Sequence, residues 1–125
     1  MAAPNIVSVT SIYGKTAYDA DVATSVSPTL TNAASSNKLL KINTIVAANI
    51  DGTNAADITV YVSNASNTTA LFYLAKTISV PADSSLVITS KDTSFYLEED
   101  RRIQALASAA SDISLMVSYE ELDDA

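Results

Sequence analysis

The chain has no cysteine and no histidine among its 125 residues. Lack of cysteine excludes disulfides, thiolate nucleophiles and cysteine-bound metals. Lack of histidine removes the commonest general base, the commonest transition-metal ligand and every Ser-His or Cys-His arrangement. Tryptophan is also missing, and phenylalanine and glycine each occur only twice. With so little glycine, some turns must place Asn or Asp in left-handed backbone positions. Charged residues make up 17% and the formal net charge is −7. Nucleic-acid binding needs a basic patch, whereas the basic residues here are scattered, apart from Arg101–Arg102, which directly follow three acids. No apolar run approaches the length of a membrane span. The N-terminus, MAAPNIVSVTSIYG, lacks a basic segment followed by a continuous apolar one, so no signal peptide is expected. These absences predict a soluble acidic domain made in a cytoplasm, with no cofactor, nucleic-acid partner or membrane partner, and they argue against most enzymes.

What is present is a core-forming set of Val, Ile, Leu and Ala, hydrophobic residues reaching 48%. That is enough for a packed interior, and the length suits one domain, 1–125. Apolar and polar residues alternate in short runs, the period of half-buried strands. In DITVYVS, Ile58, Val60 and Val62 share a face; in DISLMVSYE, Ile113, Leu115, Val117 and Tyr119 do. IVSVTSIY puts Val7, Val9 and Ile12 nearly in phase, with a break that could mark a bulge. KLLKINTIVAAN is almost continuously apolar, as expected of a strand covered on both sides. Further strands are expected at ALFYLAKTISV, SLVIT, SFYLE and RIQALAS, and an edge or irregular strand around Pro28. DRRIQALASAA has the alanine content of a helix, but IQALA alternates and is read as strand. SAASD, between the last two runs, reads as a hairpin connection. The expected fold is an all-β, single-domain antiparallel β-sandwich or jelly roll of about eight strands.

The chemical candidates have plain structural readings. Glu98, Glu99 and Asp100 resemble an acid/base set, but neighbouring residues on a strand face opposite ways. A wet charged turn, with Phe95, Leu97 and Ile103 entering the core around it, explains SFYLEEDRRIQ better. Asp19 with Asp21, and Asp51 with Asn54, offer oxygens to a hard cation but lack the density of a calcium loop. The sequons Asn64-Ala-Ser66 and Asn67-Thr-Thr69 would matter only in a secreted protein. Serines and threonines abound, but without histidine or a Ser-x-x-Lys motif none reads as an activated nucleophile. The acidic end, 120–125, reads as a soluble terminus, though Leu122 among the acids leaves docking on a basic partner open.

Three stretches carry a resemblance: PNIVSVTSIYGKT, IVAANIDGTNAADITVYV, and ISVPADSSLVITSKDTSFYLEEDRRIQALASAASDISLMVSYEE. Together they are similar to small virion structural proteins of tailed bacteriophages, especially those of marine cyanophages. The resemblance spans about Pro4 to Glu121 and is weakest between Ala17 and Asn37. It implies a non-enzymatic assembly component, with no catalytic motif to carry over. The role it implies first is a head decoration (cement) protein on the major capsid protein, in many copies and as a homo-oligomer. The alternatives are a tail, neck or fibre accessory and, less well supported by a chain without tryptophan, a carbohydrate-binding module. The candidate interface is the uncharged, β-prone start, 1–13: Ile6, Val7, Val9, Ile12 and Tyr13, able to add as a strand to a partner's sheet edge.

Overall fold

The computed structural model describes residues 7, 9–66 and 69–123. Among these lie nine strands and one 3-10 turn, Lys91–Thr93, with no α-helix. The strands are β1 (Ser11–Asp19), β2 (Ser27–Asn32), β3 (Lys38–Asn49), β4 (Ala56–Asn64), β5 (Ala70–Val80), β6 (Ser85–Thr89), β7 (Phe95–Leu97), β8 (Arg101–Ala107) and β9 (Ile113–Asp123). One sheet runs β1-β9-β3-β6, with β7 pairing β3 beyond the end of β6; the other runs β2-β8-β4-β5. Every pairing is antiparallel. Without the short β7, this interleaved order is that of a jelly roll. The all-β sandwich expected from the sequence is the fold.

Alternation delivers the core. Ile42, Ile45 and Ala47 of β3 and Leu115 and Val117 of β9 meet Ile58 and Val60 of β4 and Ile103, Ala105 and Ala107 of β8, all buried. Each fully buried Ile or Leu contributes roughly 1.5–3 kcal/mol relative to exposure. Leu97 of β7 closes this core and Phe95 packs against it, as read from SFYLE.

Four expectations need correction. Arg101–Ala107 and Ile113–Asp123 do not form a hairpin: β8 pairs β2 and β4, while β9 pairs β1 and β3. SAASD instead crosses between sheets, with Ser111 left-handed at φ 65°. The continuous apolar run of β3 does not mark a strand covered on both sides. A bulge between Ile42 and Thr44 shifts its phase, so the buried face changes parity at Asn43, and Lys41, Thr44, Val46 and Ala48 stay only half-buried. Of the described residues of IVSVTSIY, Ser11 to Tyr13 belong to β1, which continues to Asp19, whereas Val7 lies in a turn before it. Finally, Glu120 to Asp123 are the end of β9, with Leu122 buried, so this part of the acidic terminus is sheet. Left-handed positions fall on Asn37, Asp83 and Asp100, as the glycine shortage requires, and also on Ser35, Thr77 and Ser111.

Candidate interaction surface

Two buried asparagines fix the loops at either end of the sandwich. Asn32 Nδ2 donates to the carbonyls of Lys38 and Leu97, each at 2.9 Å. Asn49 Nδ2 donates to the carbonyls of Val80 (2.9 Å) and Asn54 (3.0 Å), and its Oδ1 accepts from the Asp51 N–H at 2.9 Å. These side chains thus tie backbone groups of separate strands and loops together.

The sequence-flagged acids do not converge. Glu98 is exposed. Glu99 Oε2 accepts from the Asn37 N–H at 2.8 Å, and Asp100 occupies a left-handed turn position, φ 60°. Asp19 Oδ1 accepts from the Asp21 N–H, and Asp21 Oδ1 from the Ser111 N–H at 2.8 Å, so both serve as turn acceptors. Near them, the Thr53 N–H holds the Asp51 carboxyl below its ordinary range. Desolvation and the charge of Asp51 push Asp112 up. Among the described residues no cluster of three or more acids is placed to hold a metal ion. Nor, among them, is any helix long and apolar enough to cross a membrane.

The proposed interface residues are spread along the chain's start. Ile6 lies outside the described residues. Val7 sits in a turn at 89% exposure and Val9 is half-buried. Ile12 and Tyr13 are exposed on β1 and point to opposite faces, paired with Leu122 and Glu121. Lys15 Nζ lies 5.8 Å from the Tyr13 ring centroid and 3.2 Å from Glu121 Oε2, and Lys38 also pairs with Glu121, at 3.7 Å.

Two further apolar surfaces were not anticipated. Tyr18, Met116, Val46 and Val87 stand in register across β1, β9, β3 and β6, forming a stripe over the outer face of that sheet. The second is the flank where β5 and β6 border the gap between sheets. Here a groove of about 440 Å3 is lined by Val62, Leu71, Phe72, Leu74, Ile88 and Phe95, among others. The sequence signal for this flank was ALFYLA, which is apolar at every position where a half-buried strand would alternate.

No family model and no curated protein sequence matches the chain. Among solved structures, it is similar to a protein of Bacillus endospore appendages, described as forming a novel family of disulfide-linked pili. That similarity has a TM-score of 0.50 at 17% identity and covers 91% of this chain and 89% of that one. A looser similarity is to a pentameric capsid protein isolated from metagenomic phage sequences. There the TM-score is 0.36 at 16% identity, over 86% of this chain and 61% of that chain's length. At 17% identity the first likeness is one of fold alone, and no inference rests on the second.

Proposed function

We propose that this protein is a non-enzymatic structural component of a tailed-phage particle, binding the head shell in many copies as a decoration protein. The observation that carries this reading is where the apolar surface lies. It runs along open strand edges and an outer sheet face, surfaces by which sheet proteins join one another. The jelly-roll order is common among capsid domains, and the stretches similar to small phage virion proteins run through most of the chain. The contact segment is the uncharged start, with Ile6, Val7, Val9, Ile12 and Tyr13 adding as a strand to the major capsid protein or another virion protein. Many copies of one modest interface then act together across a repeating lattice.

Quantitative mass spectrometry of purified particles tests this. A copy number that follows the shell lattice supports decoration. A number matching a tail ring or fibre set assigns the accessory role instead. Absence from particles refutes the virion reading.

A further inference from the structure

The outer face of the β1-β9-β3 sheet carries a polar depression beside the apolar stripe of Tyr18, Met116, Val46 and Val87. It measures about 550 Å3 and reaches Gly14, Thr16, Asn43, Thr44, Ser118 and Glu120, with Tyr18 on the border between stripe and depression. Thr16, Ser118 and Thr44 stand in register across the three strands. Their side chains form a row at strand spacing, about 4.8 Å apart, and two residues along the strands, about 6.8 Å, lead to the apolar stripe. None of these three hydroxyls hydrogen-bonds to another described residue, whereas the nearby Ser114 Oγ donates to the Ala20 carbonyl at 2.7 Å. Tyr18 itself is 76% exposed.

Two local departures from regular strand shape this depression. Asn43 is the residue inserted by the β3 bulge. Bulges re-aim side chains, and here two successive residues, Asn43 and Thr44, both line the outer depression. Asn43 Nδ2 donates to Glu120 Oε2 at 3.1 Å, which fixes an amide and a carboxylate side by side. Gly14, one of only two glycines in the chain, lies opposite Glu120 on β1. Its φ is not positive, and a Cβ added there would meet no atom within 4 Å, so neither a turn nor packing calls for glycine. A bare position inside a strand lets a ligand approach the sheet closely.

The charges narrow the choice of ligand. Glu121 pairs with Lys15 and Lys38, Glu120 stands opposite Lys41 in the β3–β9 ladder, and Lys91 lines the depression. The face therefore offers no field of one sign, and the chain's net charge of −7 disfavours a polyanion. A second protein copy laid face to face would have to desolvate Glu120. A neutral saccharide meets each of these features. Its rings have a C–H face that lies on a tyrosine, and a rim of hydroxyls that donate and accept, matching Thr and Ser hydroxyls, an amide and a carboxylate. We propose that this face, from Tyr18 across Thr16, Ser118 and Thr44 to the Asn43–Glu120 pair, binds a neutral oligosaccharide. The site needs no shell partner and leaves the particle role as it stands.

Affinity gel electrophoresis of the full chain tests this, in gels holding dextran, laminarin, mannan or starch, with alginate as the polyanionic control. At least one neutral polymer should retard the protein and alginate should not. Gly14→Val, which fills the bare position without a clash, and Tyr18→Ala should each weaken binding roughly tenfold or more. Leu71→Ala, on the other sheet, should leave it unchanged. Thermal melts check that the variants fold, and Thr16→Val replaces either one that does not. Retardation by no neutral polymer overturns the proposal, as does retardation by alginate alone. So does an affinity that survives both the Gly14 and the Tyr18 change. A dimer that Gly14→Val dissociates, in a chain that binds none of the polymers, assigns the face to a second copy instead.

Discussion

Replacing Asn49 with Ala should be among the most damaging single changes outside the apolar core. The side chain is 3% exposed and makes three hydrogen bonds to backbone groups, tying the end of β3 to the end of β5 and to the Asp51–Asn54 loop. Each such bond is worth about 0.5–1.5 kcal/mol net, and a buried carbonyl left unsatisfied costs more. The Val80 carbonyl, on a residue with no exposure, is the acceptor water reaches least easily. We expect a loss of about 3 kcal/mol, against a total of roughly 5–15 kcal/mol for a domain. At a urea slope of about 2 kcal/mol/M, the unfolding midpoint should fall by about 1.5 M with the slope unchanged. Asn49→Asp separates the donors from the acceptor. It keeps the bond from Asp51 but turns a carboxylate oxygen toward the carbonyls of Val80 and Asn54. Burial and those carbonyls raise its folded pKa above its unfolded one. The ionised form therefore favours the unfolded chain, and the deficit grows as pH rises above about 4. Asp should be worse than Ala at pH 7 and recover in acid, where the protonated carboxyl can donate. A loss below about 0.5 kcal/mol for Asn49→Ala would refute the reasoning, since it falls short of even one ordinary hydrogen bond.

Other expectations follow from single observations. Ile58, fully buried between the sheets, should cost about 2–5 kcal/mol as Ala and about 0.5–1.5 as Val, read from urea midpoints; equal costs would mean the site collapses around the change. Thr77 is β-branched at φ 52°, a conformation costing such residues about 1–2 kcal/mol. Thr77→Asn should therefore raise the midpoint, and a fall would show that the Thr methyl or hydroxyl does more than the backbone strain costs. Asp112 has a raised folded pKa and Asp51 a lowered one. Ionising Asp112 thus lowers stability as pH rises above its ordinary 3.8, while the contribution of Asp51 is lost as pH falls below 3.8. Asp112→Asn should be more stable than the parent at pH 7, with the gap closing as pH falls through the carboxylate range. A gap that does not change with pH would point to a cause other than charge.

The strands of this protein are legible one at a time. DITVYVS, DISLMVSYE and IQALA each show which residues face inward, and the burial of Ile58, Val60, Ile103, Ala105, Leu115 and Val117 follows that period. The charged turn at Glu98–Asp100 was legible for the same reason, since it lies between Leu97 and Ile103, both buried. The bulge at Asn43 was not. One inserted residue reverses the faces of everything after it, and in KLLKINTIVAAN both faces are apolar enough to hide the reversal. The exposed apolar surface was half legible. An uncharged, β-prone start is visible in the letters, but the edge position of β5 is not, because ALFYLA reads the same at an edge as at the centre of a sheet.

What the sequence by itself determined is the class: many short strands, one buried face on each, turns built from Asn, Asp and Ser, and no histidine or cysteine chemistry. The tertiary structure decided which strand lies beside which. Only β4 and β5 are neighbours both in sequence and in one sheet; elsewhere the chain crosses between sheets or skips to a distant partner. The physical reason is that backbone hydrogen bonds are the same for every residue pair, so alternation specifies a face without a partner. The partner is chosen by how the two inner faces fill one core, and that choice also fixes which strand is left with an open edge.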